Sequence, residues 1–413
     1  MFLSKPLKVT SIVKLALTTS VFCAAPQFAR AEAEKNKTAN SVVSSTPAPA
    51  TAEIMNRFLG HMVALKKYFV SEEKFNDPAN QHDIETHLQE FAKLAKEATH
   101  DPELRKENFK FSRQILERHI AETERVFHHG NKSYARWMLT STSAICMSCH
   151  TQIPTASRSF SDFGSLHDFP SEFDQADFLF ATNAFDRAAD LYEKIIKNYP
   201  DGDGKSAHVE TAMAREVSYY ARIKRDPSQA ISKLESFTKN KKLPDSLQGN
   251  MKSWLEEFKI WQAHPDLDPA TASDKQIVDF AQKTISSDTV ALSSVNVSNP
   301  HLVTYLRVSG LLYQYLQSHP NTPATPRILY WLSICDRSLN NTVFFSFADL
   351  YLRECMIRFS QDPIAQKCYK EYEDETIFSY TGSSGTHVPP DVQEDLDSLK
   401  KMVSNAKIAP VEH

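Results

Sequence analysis

The pentapeptide Cys146-Met147-Ser148-Cys149-His150 (CMSCH) stands at the end of a stretch with helical periodicity, and the rest of the chain is organised around it. Two cysteines two residues apart, followed at once by histidine, place two thiols and an imidazole within reach of one bound group. A zinc site would need a second ligand pair at short range, and none follows. A thioredoxin-like CxxC pair normally sits in a βαβ unit, which this region lacks.

The same spacing is the attachment pattern of a c-type haem. Two thiols would reach the two vinyl groups at one edge of a porphyrin, and the adjacent imidazole would fall on the iron. The sequence therefore predicts one covalent haem c. Cys146 and Cys149 would form the thioethers, and His150 would be the proximal axial ligand.

The first 31 residues have the features of a cleavable secretory signal peptide. Lys5 and Lys8 form the basic start, residues 15–25 form a short apolar core, and residues 29–31 (ARA) offer a cleavage site. Lys14 interrupts the apolar run, which is too short to span a membrane, so no spanning segment is expected after cleavage. Because c-type haem is attached outside the inner membrane, the two features together predict a periplasmic protein.

Composition favours an all-α fold. The 413 residues include only nine glycines, against 21 prolines and 25 phenylalanines, which is typical of helices that begin at proline. Removing residues 1–31 takes away four basic residues and no acidic one, so the net charge changes from −4 to −8. A chain with this charge is not expected to bind nucleic acid or an anionic membrane surface.

Four helices are expected between residues 53 and 155, after a polar and flexible leader at residues 32–52. Apolar residues recur at spacings of three and four in each of them. Asp77-Pro78 and Asp101-Pro102 are start signals for the second and third helices. Gly130 would end the third helix, and the fourth would run from about residue 132 into CMSCH.

With four helices and a late CxxCH, residues 53–155 resemble the class II c-type cytochromes, which include cytochrome c-prime and its low-spin relatives. The segment Met55–Met62 (MNRFLGHM) is similar to the methionine-bearing segment of the low-spin members. The resemblance implies an N-terminal four-helix bundle with covalent haem and Met55 as the sixth iron ligand. Met62 is the alternative ligand. It lies two helical turns away, about 10 Å along the axis, so only one of the two can meet the iron.

Beyond an expected linker at residues 156–170, residues 176–200 resemble a tetratricopeptide-type helical hairpin. A non-repeating helical domain is the alternative. Residues 171–405 are therefore expected to form a helical hairpin or solenoid-like domain, followed by a flexible tail at 406–413. The positions that carry the resemblance are Ala176, Phe185, Ala188, Tyr192 and Pro200.

Two other groups of side chains could carry chemistry. Cys355 and Cys368 lie symmetrically about a turn, which predicts a disulfide across an antiparallel helix pair, with two buried thiols as the alternative. Cys335 would be a buried free thiol. His61 could compete as an iron ligand and His128-His129 as metal ligands, but a surface position and a helix C-terminus explain them more simply.

The predicted function is single-electron transfer by a periplasmic monohaem cytochrome rather than catalysis, because no catalytic motif is found. The C-terminal helices would bind a periplasmic redox protein or oxidoreductase. One alternative is a gas-binding or sensor protein, in which a five-coordinate haem is open to nitric oxide or carbon monoxide. A scaffold with a structural haem is the third interpretation.

Overall fold

The computed structural model describes residues 50–152, 166–202, 204–285, 299–339 and 344–404. Their regular structure is helical apart from one two-stranded hairpin, so the predicted all-α class is confirmed. None of the helices in these ranges combines the length and apolarity needed to cross a membrane. The predicted signal peptide, the leader up to residue 49 and the tail lie outside the described residues.

Between residues 50 and 152 the structure has five helices. They are Ala50–Phe69 (α1), Glu72–Asn76 (α2), Gln81–Ala98 (α3), Lys110–His128 (α4) and Lys132–His150 (α5), with a 3-10 turn at Pro78–Asn80. α1 packs on α3, α3 on α4 and α4 on α5, and α5 also contacts α1 and α2. These helices share a closely packed apolar core, as their hydrophobic periodicity requires. It includes Leu65, Ile84, Leu88, Phe91, Ile120 and Leu139.

The third long helix begins later than predicted. Asp101-Pro102 was expected to start it, but α4 begins at Lys110 and the intervening residues form separate turns. The Asp101 carboxylate does cap backbone N–H groups, including that of the buried Leu104 at 3.0 Å. The same oxygen accepts a hydrogen bond from the Thr51 hydroxyl at 2.8 Å. The predicted cap therefore stabilises a turn and fixes it to α1.

The connection between α4 and α5 confirms the prediction for Gly130. Gly130 follows the end of α4 with a φ of +85°, a left-handed conformation that glycine adopts without steric cost. Asn131 then caps α5, because its side-chain oxygen accepts a hydrogen bond from the backbone N–H of Tyr134 at 3.4 Å. The helix that carries CMSCH thus begins where the sequence predicts.

Eleven further helices lie in the described ranges after residue 166, and most neighbours along the chain pack on each other. They are Glu172–Ala181 (α6), Phe185–Asn198 (α7), Ser206–Ser218 (α8), Pro227–Phe237 (α9), Asp245–Ala263 (α10), Asp274–Thr284 (α11), Leu302–Ser318 (α12), Thr325–Leu339 (α13), Ala348–Arg358 (α14), Ile364–Ser379 (α15) and Pro390–Ser404 (α16). A 3-10 turn at Leu166–Asp168 precedes α6, and a π-helical turn at Tyr219–Lys224 follows α8. The exposed strands are Thr381–Gly382 (β1) and Gly385–Thr386 (β2).

The cysteines that follow CMSCH in the chain lie as predicted. Cys355 on α14 and Cys368 on α15 form a disulfide, with 2.10 Å between the sulfurs and 6.4 Å between the Cα atoms. Cys335 on α13 is a buried free thiol. The bridge ties two neighbouring helices of the C-terminal region to each other.

The described residues group into one compact unit. Several contacts join the first five helices to the C-terminal ones. The Ser148 hydroxyl donates to the carbonyl of Phe345 at 3.0 Å, and the Phe111 and Tyr351 rings meet edge to face, with centroids 5.0 Å apart. Residues 153–165, which include most of the predicted linker, lie outside the described residues, so the division there remains a prediction.

Arg222 supplies a further contact. It lies in the π-helical turn, is 2% exposed, and donates to the hydroxyls of Ser309 at 2.6 Å and Thr151 at 3.4 Å. Its guanidinium also stands 4.8 Å from the ring centroid of Phe344, a favourable cation–π arrangement. A buried cation thus reaches the residue that follows His150.

Glu216 on α8 provides a test of the fold. It is 2% exposed and one of its carboxylate oxygens has no hydrogen-bond partner among the described residues. Burial, reinforced by the nearby Glu193 carboxylate, raises the pKa of Glu216 from 4.5 to about 8. Because the folded state then holds a proton that the unfolded state releases, stability falls as the pH rises between these two values.

We expect Glu216→Gln to remove this pH dependence. The urea midpoint of the variant should exceed that of the wild type by an amount that grows from pH 5 to pH 8 and then levels off. Glu210→Gln, an exposed position on the same helix, is the control and should leave the profile unchanged. If the urea midpoints of wild type and Glu216→Gln change with pH in parallel, the raised pKa of Glu216 is contradicted.

Candidate functional site

CMSCH forms the last turn of α5, so helix geometry determines how its side chains are arranged. Residues at i, i+3 and i+4 lie on one face of an α-helix, which places Cys146, Cys149 and His150 side by side. The intervening Met147 and Ser148 point elsewhere and are buried. A single face of α5 therefore presents two thiols and an imidazole.

This face borders a cavity that opens to solvent. Side chains from α1, α3, α4 and the end of α6 complete the walls, and most of them are apolar. The apolar lining includes Phe58, Leu59, Phe91, Leu104, Leu116 and Ile145.

α1 contributes both predicted methionines to the same cavity. Met55, Phe58, Leu59 and Met62 follow the spacing i, i+3, i+4, i+7 and form one stripe along the lining. Met62 is 6% exposed and packs in the core, whereas Met55 is half-buried. The structure thus brings together all five residues that the sequence predicted, from two helices that are separated along the chain by three others.

The imidazole of His150 is oriented by a hydrogen bond. Its Nδ1 lies 2.8 Å from the carbonyl oxygen of Ala181, which can only accept, so Nδ1 must carry the hydrogen. Desolvation by burial lowers the pKa of His150, and this hydrogen bond opposes the shift only in part. The neutral ring therefore keeps its lone pair on Nε2, which is the form that ligates metals.

Both thiols of the motif are free and enclosed by protein. Burial raises the pKa of Cys146 to about 12, and the neighbouring Cys149 adds to the shift. Burial likewise raises the pKa of Cys149 to about 12, although a hydrogen bond with Ser112 partly offsets it. Each side chain nonetheless keeps some accessible surface, because it faces the cavity.

Arg113 on α4 is the charged residue in the lining, and sequence reasoning missed it. Its Nε is buried and has no hydrogen-bond partner in the described part of the chain. An unpaired buried donor is costly, so this atom is suited to an acceptor on a bound molecule. One feature of the sequence could have identified Arg113. It stands at helical spacing between Phe109 and Leu116 and so interrupts an apolar stripe.

The lining fits a haem on chemical grounds. It combines two thiols, a neutral imidazole, two thioethers and one cation within an apolar enclosure. These groups match a macrocycle that carries two vinyl groups, an iron and carboxylates. Sequence reasoning also missed Ala181 and Thr182, which belong to the end of α6 and lie far along the chain from CMSCH. No local pattern connects them to the motif.

The other candidate histidines lie away from the cavity lining. His61 Nδ1 is 3.2 Å from Nδ1 of His87. His128 pairs with Glu85 at 2.7 Å, and His129 Nδ1 donates to the Arg125 carbonyl, also at 2.7 Å. Across the described ranges, no three histidine, cysteine, aspartate or glutamate residues are grouped to hold a metal ion.

No family model, curated protein or solved structure matches this chain.

The unpaired Nε leads to a stability prediction for protein made without cofactor. Arg113→Met should raise the free energy of unfolding by about 1–3 kcal/mol in urea titrations, because it removes an unsatisfied buried donor and keeps an apolar stem. Arg118→Met, at an exposed position on the same helix, is the matched control and should have little effect. A loss of stability in Arg113→Met alone would show that its guanidinium already has a stabilising partner.

Proposed function

We propose that this chain is a periplasmic monohaem c-type cytochrome that carries single electrons, and that α1, α3, α4 and α5 form a haem-bearing four-helix bundle of the class II kind. The observation that supports the proposal is the cavity, where CMSCH and both predicted methionines converge.

Different residues of the cavity would hold different parts of the haem. Cys146 and Cys149 would each add S–H across a vinyl double bond, with sulfur bonding one carbon and hydrogen the other, so the addition needs no oxidant. His150 would bind the iron through Nε2, and Arg113 would pair with a propionate. When bound, the haem supplies one-electron exchange at its iron.

The sixth ligand decides between the possible functions. A methionine thioether would saturate the iron, raise its reduction potential and exclude gas ligands, which suits an electron carrier. Met55 is favoured over Met62 because it is half-buried in the cavity wall, whereas Met62 is packed in the core. If neither binds, the iron is five-coordinate, and the protein would bind nitric oxide or carbon monoxide through the solvent-open cavity.

The C-terminal helices are the proposed site for a redox partner. They contact the motif-bearing helix directly, through Ser148 and Phe345 and through His150 and Ala181. A periplasmic redox protein or oxidoreductase bound there would be close to the electron-carrying group. The proposed location also depends on residues 1–31, which lie outside the described residues.

Covalent attachment can be tested directly. Protein coexpressed with a haem-maturation system should keep its haem through acid–acetone extraction, because thioether bonds survive it. The double variant Cys146→Ala/Cys149→Ala should lose the haem to the solvent phase. Cys335→Ala is the control, since this buried thiol lies outside the cavity, and it should keep its haem. Haem that stays covalently bound in the double variant would refute the attachment.

The optical spectrum tests the sixth ligand. The wild type should be low-spin, and Met55→Ala should become high-spin and admit carbon monoxide, because the iron loses its thioether. Met62→Ala should stay low-spin and lose about 2–5 kcal/mol of stability, because it leaves a core cavity. The opposite pattern would assign Met62 as the ligand. A high-spin wild type would favour the gas-binding function.

A further inference from the structure

The proximal imidazole is oriented by a group from outside the first five helices. The acceptor of the His150 Nδ1–H is the carbonyl of Ala181, the last residue of α6. Among the described residues this is the hydrogen bond that the His150 ring makes. Its orientation and tautomer therefore depend on where α6 ends.

The position of this carbonyl makes it a strong hydrogen-bond acceptor. The last four carbonyls of a helix have no intrahelical donor, and Ala181 accepts none from the backbone of the described residues. The carbonyl also lies at the negative end of the dipole of α6. A strong acceptor on Nδ1–H makes the imidazole a more basic ligand, which stabilises ferric over ferrous iron.

The turn after α6 holds the carbonyl in place. Thr182 and Asn183 donate backbone N–H groups to the carbonyls of Phe178 at 3.0 Å and Phe180 at 3.3 Å. Asn183 has a φ of +67°, in the left-handed region, and the chain then enters α7 at Phe185. Ala181 is 2% exposed, so water does not compete for its oxygen.

We propose that the Ala181 carbonyl is a positioning group, which fixes the His150 tautomer and lowers the reduction potential of the haem. The inference rests on the proposed function, because it concerns the iron that His150 would bind. It makes the α6–α7 turn, in the C-terminal region, a determinant of the electron affinity of the site. The set of residues proposed to bind the iron stays the same.

A matched pair of variants at Asn183 tests the proposal. Glycine adopts a positive φ freely, whereas valine is β-branched and strongly disfavoured there, so only Asn183→Val should force the turn to move. Both variants remove the same side chain. Asn183→Val should shift the reduction potential of the covalently bound haem upward, and Asn183→Gly should leave it near the wild-type value.

A second measurement follows the Nδ1–H proton itself. In wild-type ferrous protein, which is diamagnetic when the iron is low-spin, ¹⁵N-edited NMR should show a His150 Nδ1–H that exchanges slowly with solvent. In Asn183→Val the exchange should be faster, while extraction still shows covalent haem.

Haem that is covalently bound, with a freely exchanging Nδ1–H in the wild type, would overturn the inference. Equal reduction potentials in the two variants would also overturn it, provided that Asn183→Val lowers the thermal midpoint. The lower midpoint shows that this variant does perturb the turn. Wild-type protein that binds no covalent haem would instead refute the proposed function, so the two failures are distinguishable.

Discussion

The structure depends on the two-sided packing of the last turn of α5. One face of that turn borders the cavity with Cys146, Cys149 and His150, and the other buries Met147 and Ser148. Ser148 is fixed to the carbonyl of Phe345, so the helix cannot rotate without losing a buried hydrogen bond. Helical periodicity therefore puts the cavity-lining residues and the anchoring residues on opposite faces of one short segment.

Buried arginines extend this constraint into the C-terminal helices. Arg222 links Ser309 to Thr151, the residue after His150, and is enclosed by aromatic rings. Farther on, Asp266 accepts from Arg307 at 2.7 Å and also pairs with Arg225. Burying such charges contributes little net stability, and their hydrogen bonds restrict which helix arrangements are tolerated. The motif is thus supported by a polar framework as well as by apolar packing.

Local patterns in the sequence predicted the elements well and their long-range partners poorly. Gly130, the start of α5 and the Cys355–Cys368 bridge were predictable, because each depends on residues close in sequence. The late start of α4 was not, because the Asp101 cap is shared with Thr51 on α1. The five cavity residues could be predicted from spacing and resemblance. Arg113 and Ala181 could not, since their roles arise only from tertiary contacts.

The contact between His150 and Ala181 also bears on the order in which the protein is made. Ala181 and Thr182 lie after CMSCH in the chain, yet they form part of the wall that encloses its thiols. Under the proposed function, a maturation enzyme needs access to both thiols and must act before α6 closes this wall. If the chain is exported from its N-terminus, as the proposed function requires, CMSCH emerges first, and haem would be attached before the C-terminal helices dock. The later part of the chain would then complete the wall around the proposed cofactor site.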